Sequence, residues 1–494
     1  MTDSADHGAA PSRSAVVDLG SNSVRLVVYE GHGRNPVAIF NEKAVLRLGR
    51  GLQTTGRLNE AGVAQAMHVM SRFAAVARAM GADPFEVLAT AAVRDASNGP
   101  AFVEGLRKRM PAATIRILTG AEEASLSAAG LLCGIPGADG LLADIGGGSL
   151  ELVRLDAGGV RHAATLRLGV IRLAERAEGD LARARALADS DLAALPWLNE
   201  AAERDLYLVG GAWRALARVH MQSVNYPLAI VHHYTIDRDA ARALAASILE
   251  PRMTPGRIAG ATRRRAEDLP YAATILRRLL RQSGARRVVF SANGIREGWF
   301  MQLVPPEIRR QDPLLAAGQD YAVLLGRDAR FPPALIAWTT PLFPTETAET
   351  MRLRHAACWM SDIGSHDHPE YRAEQSFWRV LRQPGIGVDH PTRAFLALTL
   401  ALRYEAELDA NFLAPARALL DAPSIARALT LGATLRLAYF LSAGTPTMLA
   451  EAAIRREPGR IVLTLDGAGV FAGEGVQRRL ERLAASLGVA GILE

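Results

Sequence analysis

The 494-residue chain is predicted to be an α/β protein of two related halves facing each other across a cleft, followed by a helical domain with a small α/β end. Three observations predict it. Strand-like and helix-like segments alternate through the first 300 or so residues. An Asp-apolar-Gly motif occurs twice, 126 residues apart. Beyond Pro305 and Pro306 the chain becomes rich in Ala, Leu and Arg at helical spacing, as in Phe395, Leu396, Leu398, Leu400 and Leu402. A length of about three domains is too great for one small module.

In order, residues 14–17, 24–29 and 37–48 read as strands. Residues 59–81 read as a helix on Val63, Ala66, Met67, Met70, Phe73, Ala74 and Val76. A strand (85–92), a helix (99–110), a strand (114–118) and a helix opening near Ala121 follow. The pattern restarts with strand, glycine turn and strand over 141–155 and a third strand at 162–168. Then come a helix (180–204), a strand (206–209), a helix after Gly211, helices over 237–250 and 261–283, and a strand at 287–290. The expected divisions are 14–124, 125–304, a helical 310–440, and 441–494 with a strand at 461–465 and a helix at 476–487.

An apolar fraction of 49% with 22% charged residues excludes a wholly disordered chain. No apolar run approaches the ~18 residues of a membrane helix. The first dozen residues lack the apolar stretch of a signal peptide. Cys133 and Cys358 lie far apart, which argues against a disulfide scaffold or a cysteine-built zinc site. A cytoplasmic protein is expected, with neither nucleic acid nor membrane as partner. The net charge is +6, and apart from Lys43 and Lys108 every basic residue is arginine. A general preference for arginine explains the total, so only local clusters speak for an anionic ligand.

The two motifs read Val17-Asp18-Leu19-Gly20-Ser21-Asn22-Ser23-Val24-Arg25-Leu26-Val27 and Ala143-Asp144-Ile145-Gly146-Gly147-Gly148-Ser149-Leu150-Glu151-Leu152-Val153. A glycine turn between strands lets backbone N–H groups converge on an anion, with Ser21, Ser23 or Ser149 adding hydroxyls. The preceding aspartates would repel bare phosphate, so a divalent cation between carboxylate and phosphate makes sense of them. One such turn would be a plain hairpin; two in matching places favour phosphate binding. Leu208-Val209-Gly210-Gly211-Ala212-Trp213 and Phe290-Ser291-Ala292-Asn293-Gly294-Ile295-Arg296-Glu297-Gly298 each run from strand to helix start. They offer further anion sites or need glycine for geometry alone.

In Thr119-Gly120-Ala121-Glu122-Glu123-Ala124, the spacing of Thr119 and Glu122 makes a capping box, which gives Glu122 a structural task. Glu123 stacks above Ser127 and Gly130, a small-residue face with room for ligand, and is the better general base. Arg94 follows a strand end, either pointing into the crevice of an α/β sheet or pairing with Asp95. Arg263, Arg264, Arg265, Arg277, Arg278, Arg281, Arg286 and Arg287 form either a basic path for a polyanion or a solvated helix face. His355, Asp362, His366, Asp367 and His368, like His232 and His233, read as metal ligands or as plain polar residues.

The segments DLGSNSVRLV, ATAAVR, TGAEEA, DIGGGSLELV, LRLGVIRL, LVGGAWRALA and SANGIREG resemble, from Val17 to Gly298, the exopolyphosphatase / guanosine pentaphosphate phosphohydrolase family of the actin-like ATPase superfamily. The resemblance implies two ribonuclease-H-like (actin-like) domains and a helical HD-like domain, as in the family's longer members. It implies Mg²⁺-dependent hydrolysis of the terminal phosphoanhydride of inorganic polyphosphate, or of the γ-phosphate of guanosine pentaphosphate; oxygen ligands suit Mn²⁺ equally. It places the catalytic role on Glu123, Asp144 and Glu151. Metal ligation falls on Asp144 and Glu151, with Asp18 from the opposite half orienting metal or water. Substrate binding falls on Gly20, Ser21, Asn22, Ser23, Arg94, Gly146, Gly147, Gly148, Ser149, Gly210 and Gly211, and a homodimer is implied. Ala212 departs from the family by lacking a hydroxyl, and Ser361-Asp362 lacks the histidine of an HD doublet. The helical domain is therefore expected to hold no catalytic metal and to serve as scaffold or substrate channel. A non-catalytic phosphate-binding sensor of the same fold is the remaining class; carboxylates beside a phosphate site argue against it.

Overall fold

β1 (Arg13–Leu19) and β2 (Ser23–Glu30) are apolar on nearly every inward position and close into a hairpin at Gly20. The computed structural model describes residues 12–250, 266–384, 387–466 and 473–494. β3 (Val37–Val45) joins β2 antiparallel, while β4 (Phe85–Ala89) and β5 (Thr114–Ile117) extend the sheet in parallel on the other side. The order is β3-β2-β1-β4-β5.

The second half repeats this. β6 (Gly140–Ile145), β7 (Leu150–Asp156) and β8 (Gly159–Leu166) form the antiparallel part, and β9 (Asp205–Gly210) and β11 (Arg287–Ser291) the parallel part. β10 (Tyr234–Asp237) adds an antiparallel edge strand, giving β10-β11-β9-β6-β7-β8. Even the irregularities repeat. The β2–β3 register shifts between Val28 and Tyr29, the β7–β8 register between Arg154 and Leu155, again 126 residues apart. Each half is thus a ribonuclease-H-like sheet, and the pair is the actin-like arrangement. Each half has its own apolar core, Phe73, Phe102 and Val87 among the first and Trp213, Leu276 and Phe290 among the second.

The helices Gly120–Gly134 and Ile295–Leu303 pack so closely that a Cβ at Gly130 would lie 1.9 Å from the Gly294 carbonyl oxygen. One at Gly298 would lie 1.8 Å from that of Leu126. Glycine is the only residue that permits this approach, and it fixes the helix that begins beside Glu123.

Several expected boundaries move. The strand predicted over 85–92 ends at Ala89, and Ala91–Asp95 turns into a short helix. The helix predicted over 180–204 stops at Ala193, and Pro196 begins a separate 3₁₀ turn, because proline cannot donate within a continuing helix. The division expected at 124/125 falls inside the Gly120–Gly134 helix. Residues 261–265 lie outside the described residues. The short Val170–Arg176 helix was not anticipated.

The chain separates into two compact units, Met1–Arg309 and Arg310–Glu494. In the second, helices include Pro313–Leu325, Ala348–Met360, His390–Arg403 and Ala422–Ser442, with His390–Arg403 at the centre. The division expected at 440/441 falls inside Ala422–Ser442, against which Glu474–Ser486 packs, so the end of the chain belongs to this unit. Its sheet has three strands, β12 (Ala452–Glu457), β13 (Arg460–Leu465) and β14 (Ala490–Leu493). β13 has the longer, β-branched apolar run that sequence reading detects, whereas β14 is only four residues long. Among the described residues no helix is long and apolar enough to cross a membrane.

Candidate active site

The two glycine bends are built alike. Gly20 N–H donates to the Ser23 carbonyl (3.1 Å) and Gly146 N–H to that of Ser149 (3.0 Å). They lie directly against each other: a Cβ on Gly147 would sit 3.1 Å from Ser21 Cβ, and one on Gly148 2.8 Å from Ser21 Oγ. Glycine is needed there because the opposite bend occupies the space. Gly20, Ser21, Asn22, Ser23, Gly146, Gly147, Gly148 and Ser149 all line one cavity between the halves, joined by Gly210 and Gly211 after β9.

Four carboxylates face the same cavity: Asp18, Glu123, Asp144 and Glu151. Asp18 and Asp144 sit at equivalent strand ends, paired across their hairpins with Arg25 and Glu151 respectively. Ser127 Oγ donates to Asp144 Oδ2 (2.5 Å), one turn along the helix from Glu123. The capping box is formed. Thr119 Oγ1 accepts from Glu122 N–H (3.2 Å), and Glu122 Oε2 accepts from Thr119 N–H (2.8 Å), leaving Glu122 on the outside. Glu123, the next residue, is only 3% exposed.

Burial dominates the electrostatics. It raises Glu123 to about 7, opposed by Arg94 and assisted by Asp144 and Asp18. It raises Asp144 to about 6, against the Ser127 hydrogen bond. Glu151 is pushed well up by burial and by the Glu123 charge, and Asp18 is raised by burial against the pull of Arg296 and Arg25. Desolvated carboxyls crowded together hold protons until a cation replaces them.

Cations on the cavity wall went unrecognised in the sequence: Arg25 and Lys43 from the first half, Arg214 and Arg296 from the second. Arg214 is lowered to about 10, first by burial and then by Arg296 beside it. Arg214 and Arg296 stand on ordinary helices after the third and fourth glycine elements, and neither motif by itself marks an arginine as functional. Arg25 carried a usable signal, since it occupies the position of Glu151 in the repeat. Arg94, expected to reach the phosphate, stands directly behind Glu123 on the cavity wall. It is turned onto Glu123, which it pairs with, onto the Leu118 carbonyl (2.8 Å) and onto Asp95 (3.3 Å). The nearer anion captures it.

Arg278 pairs with Asp189, and Arg286 and Arg287 share Asp205, so they do not form one open basic stripe. Arg263, Arg264 and Arg265 lie outside the described residues. In the C-terminal unit, Asp362 is gripped by Arg327 (2.9 Å) and Arg403 (3.3 Å), and Ser361 Oγ meets Tyr439 OH (2.8 Å).

The cavity suits a hard divalent cation. Its acidic donors are all oxygen, and Glu151 Oε1 is buried with no hydrogen-bond partner. Asp18, Asp144 and Glu151 do not converge as a ready three-ligand cage; among the described residues no such group exists. Mg²⁺ is commonly held by one or two carboxylates and completes its shell from phosphate and water, so this donor set fits it.

The sequence profile of the Ppx/GppA phosphatase family matches residues 26–307, and that of "Exopolyphosphatase, C-terminal" matches residues 314–491. Exopolyphosphatase 2 of Mycobacterium tuberculosis is 32% identical over 177 residues, 34% of this chain and 55% of that protein. The alignment thus spans about half the length of that relative. Retrograde regulation protein 2 of Saccharomyces cerevisiae is 25% identical over 429 residues, 79% of this chain and 72% of that one. Among solved structures, an exopolyphosphatase from Cytophaga hutchinsonii superposes with a TM-score of 0.54 at 22% identity, over 60% of this chain and 99% of that one, and so shares the fold. With one family profile covering more than half of the sequence, over both halves of the cleft, the chain belongs to the Ppx/GppA phosphatase family.

Proposed function

We propose that the chain is an exopolyphosphatase that hydrolyses the terminal phosphate of inorganic polyphosphate, with Glu123 as general base. The observation that carries this is the meeting of two abutting glycine bends with a buried glutamate in one cavity. A mere phosphate binder has no use for four carboxylates facing its ligand.

The backbone N–H groups of the bends cradle the terminal phosphoryl group, with Ser21, Ser23 and Ser149 adding hydroxyls. Glu123 accepts a proton from the water aligned with the terminal phosphorus; its raised proton affinity suits a base that works near neutrality. Asp144 and Glu151, with Asp18 opposite, would hold Mg²⁺, or Mn²⁺ in its place. Such an ion would supply positive charge against the phosphate oxygens and the leaving phosphate. Arg25, Lys43, Arg214 and Arg296 balance the remaining phosphate charge. Catalysis of this kind is chiefly positioning and electrostatics.

Phosphate release from long-chain polyphosphate and from guanosine pentaphosphate, measured side by side with Mg²⁺, tests the substrate. Preferential release from polyphosphate is expected. Preference for the nucleotide would make the chain a guanosine pentaphosphate phosphohydrolase, and tight binding without release from either would make it a sensor. Glu123→Gln should fold, bind polyphosphate and lose roughly 10²–10⁴-fold in rate. A rate near wild type would remove Glu123 from the mechanism.

A further inference from the structure

We propose that Asp95 is a positioning residue that, together with Arg172, couples the second glycine bend to Glu123 through Arg94; this rests on reading Glu123 as the base. Four side chains form one continuous chain of ion pairs across the cleft. Arg172 Nη1 donates to Asp95 Oδ2 at 2.7 Å, Arg94 Nε to Asp95 Oδ1 at 3.3 Å, and Arg94 Nη1 pairs with Glu123. The chain starts at the phosphate bend: Val170 N–H donates to the Gly146 carbonyl, and Ile171 and Arg172 N–H to that of Gly147. Arg172 therefore moves with that bend, and its side chain is buried at 8% exposure.

Asp95 belongs to the first half and Arg172 to the second. The Arg172 side chain is buried while that of Asp95 is 26% exposed, so removing Asp95 leaves a buried guanidinium without this partner. Asp95 also divides the attention of Arg94. One face of that guanidinium is held by Asp95 while the other meets Glu123 and the Leu118 carbonyl. Without Asp95, Arg94 loses the hold on its Nε edge, and the Glu123 carboxylate it already pairs with shifts with it from the water it must deprotonate. The same helix carries a second tie, Glu175, whose carboxylate accepts from Gly51 N–H (2.7 Å) and Gln53 N–H (3.3 Å) of the first half. Glu175 reaches no residue of the base network, which makes Asp95 the informative site.

The test is steady-state phosphate release from polyphosphate with Mg²⁺ by the full chain. Asp95→Asn should lower kcat by about 10–100-fold, the scale of a small misplacement of a catalytic group, with KM little changed. Asp95→Glu should recover most of the loss. Arg172→Gln should lower kcat in the same way and carries the test if Asp95→Asn does not fold. In a Glu123→Gln background, Asp95→Asn should have little further effect, since it acts through that residue. An equal loss in both backgrounds, a rise in KM alone, or a full kcat in Asp95→Asn would overturn the proposal. A Glu123→Gln enzyme of near-normal rate would instead overturn the base itself, so the two failures are distinguishable.

Discussion

The two halves share a sheet, a bend and a register shift, yet the rows of side chains that cross them at the cleft carry opposite charge. In the first, Asp18 stands opposite Arg25 and Arg25 opposite Lys43. In the second, Asp144 stands opposite Glu151 and Glu151 opposite Thr165. One duplicated frame thus supplies a row that balances its own aspartate and a row that doubles it. The first suits phosphate oxygens. The second would suit a cation, and burial raises the proton affinity of its carboxyls. Duplication fixed the geometry, and divergence at two positions of the row, Arg25 against Glu151 and Lys43 against Thr165, gave the rows opposite charge; in the function proposed above this separates substrate handling from metal handling.

The comparison can be broken at each row. Glu151→Gln should have the largest effect, lowering apparent Mg²⁺ affinity in a metal-titrated assay beyond the ~10–100-fold typical of losing an outer-shell partner. An unchanged titration would dissolve the distinction between rows. Arg25→Gln touches the other row and should raise KM for polyphosphate about tenfold, the value of one charge-assisted hydrogen bond of ~1.5 kcal/mol, with kcat nearly kept. If kcat falls instead, the first row takes part in the chemistry.

A smaller signal is thermal. Folded Asp144 and Glu123 bind protons more tightly than their ordinary values of 3.8 and 4.5 allow. Their contribution to stability is therefore full below those values and is lost as pH rises through about 6 to 7. Without metal, the melting temperature should fall across that interval. Added Mg²⁺ should restore a few degrees above it and little below it. Equal shifts at both ends would mean the cation binds elsewhere. The smallest effect belongs to Glu122→Ala, which loses the capping box for about 1 kcal/mol of stability and leaves phosphate release near normal. Melting and activity measured on one preparation would separate the two neighbouring glutamates.

Much of this was legible in the chain. The spacing of Thr119 and Glu122 assigned one glutamate to the cap and left Glu123 for the cavity, because capping is local chemistry. The 126-residue repeat announced twin bends. It also held more than was read: applied residue by residue, it places Arg25 where Glu151 stands and so marks Arg25 as a site residue. Arg214 and Arg296 could not be found this way, since each reaches the cavity from a helix whose approach depends on sheet order. β12 was missed because its apolar start gives way to Arg455, Arg456 and Glu457, and β14 because four residues that include Gly491 resemble a loop until β13 pairs with them.

By itself, then, the sequence determined what is encoded locally: the duplicated bends, the cap, the helical character after residue 310, and the residue types able to meet phosphate. Tertiary structure alone decided which charges meet. It pressed Ser21 against Gly147 and Gly148, brought Arg172 to Asp95, and paired Arg94 with Glu123. The reason is that hydrogen-bonded turns and caps act between near neighbours in the chain. An ion pair is chosen by whichever opposite charge the packed halves leave closest.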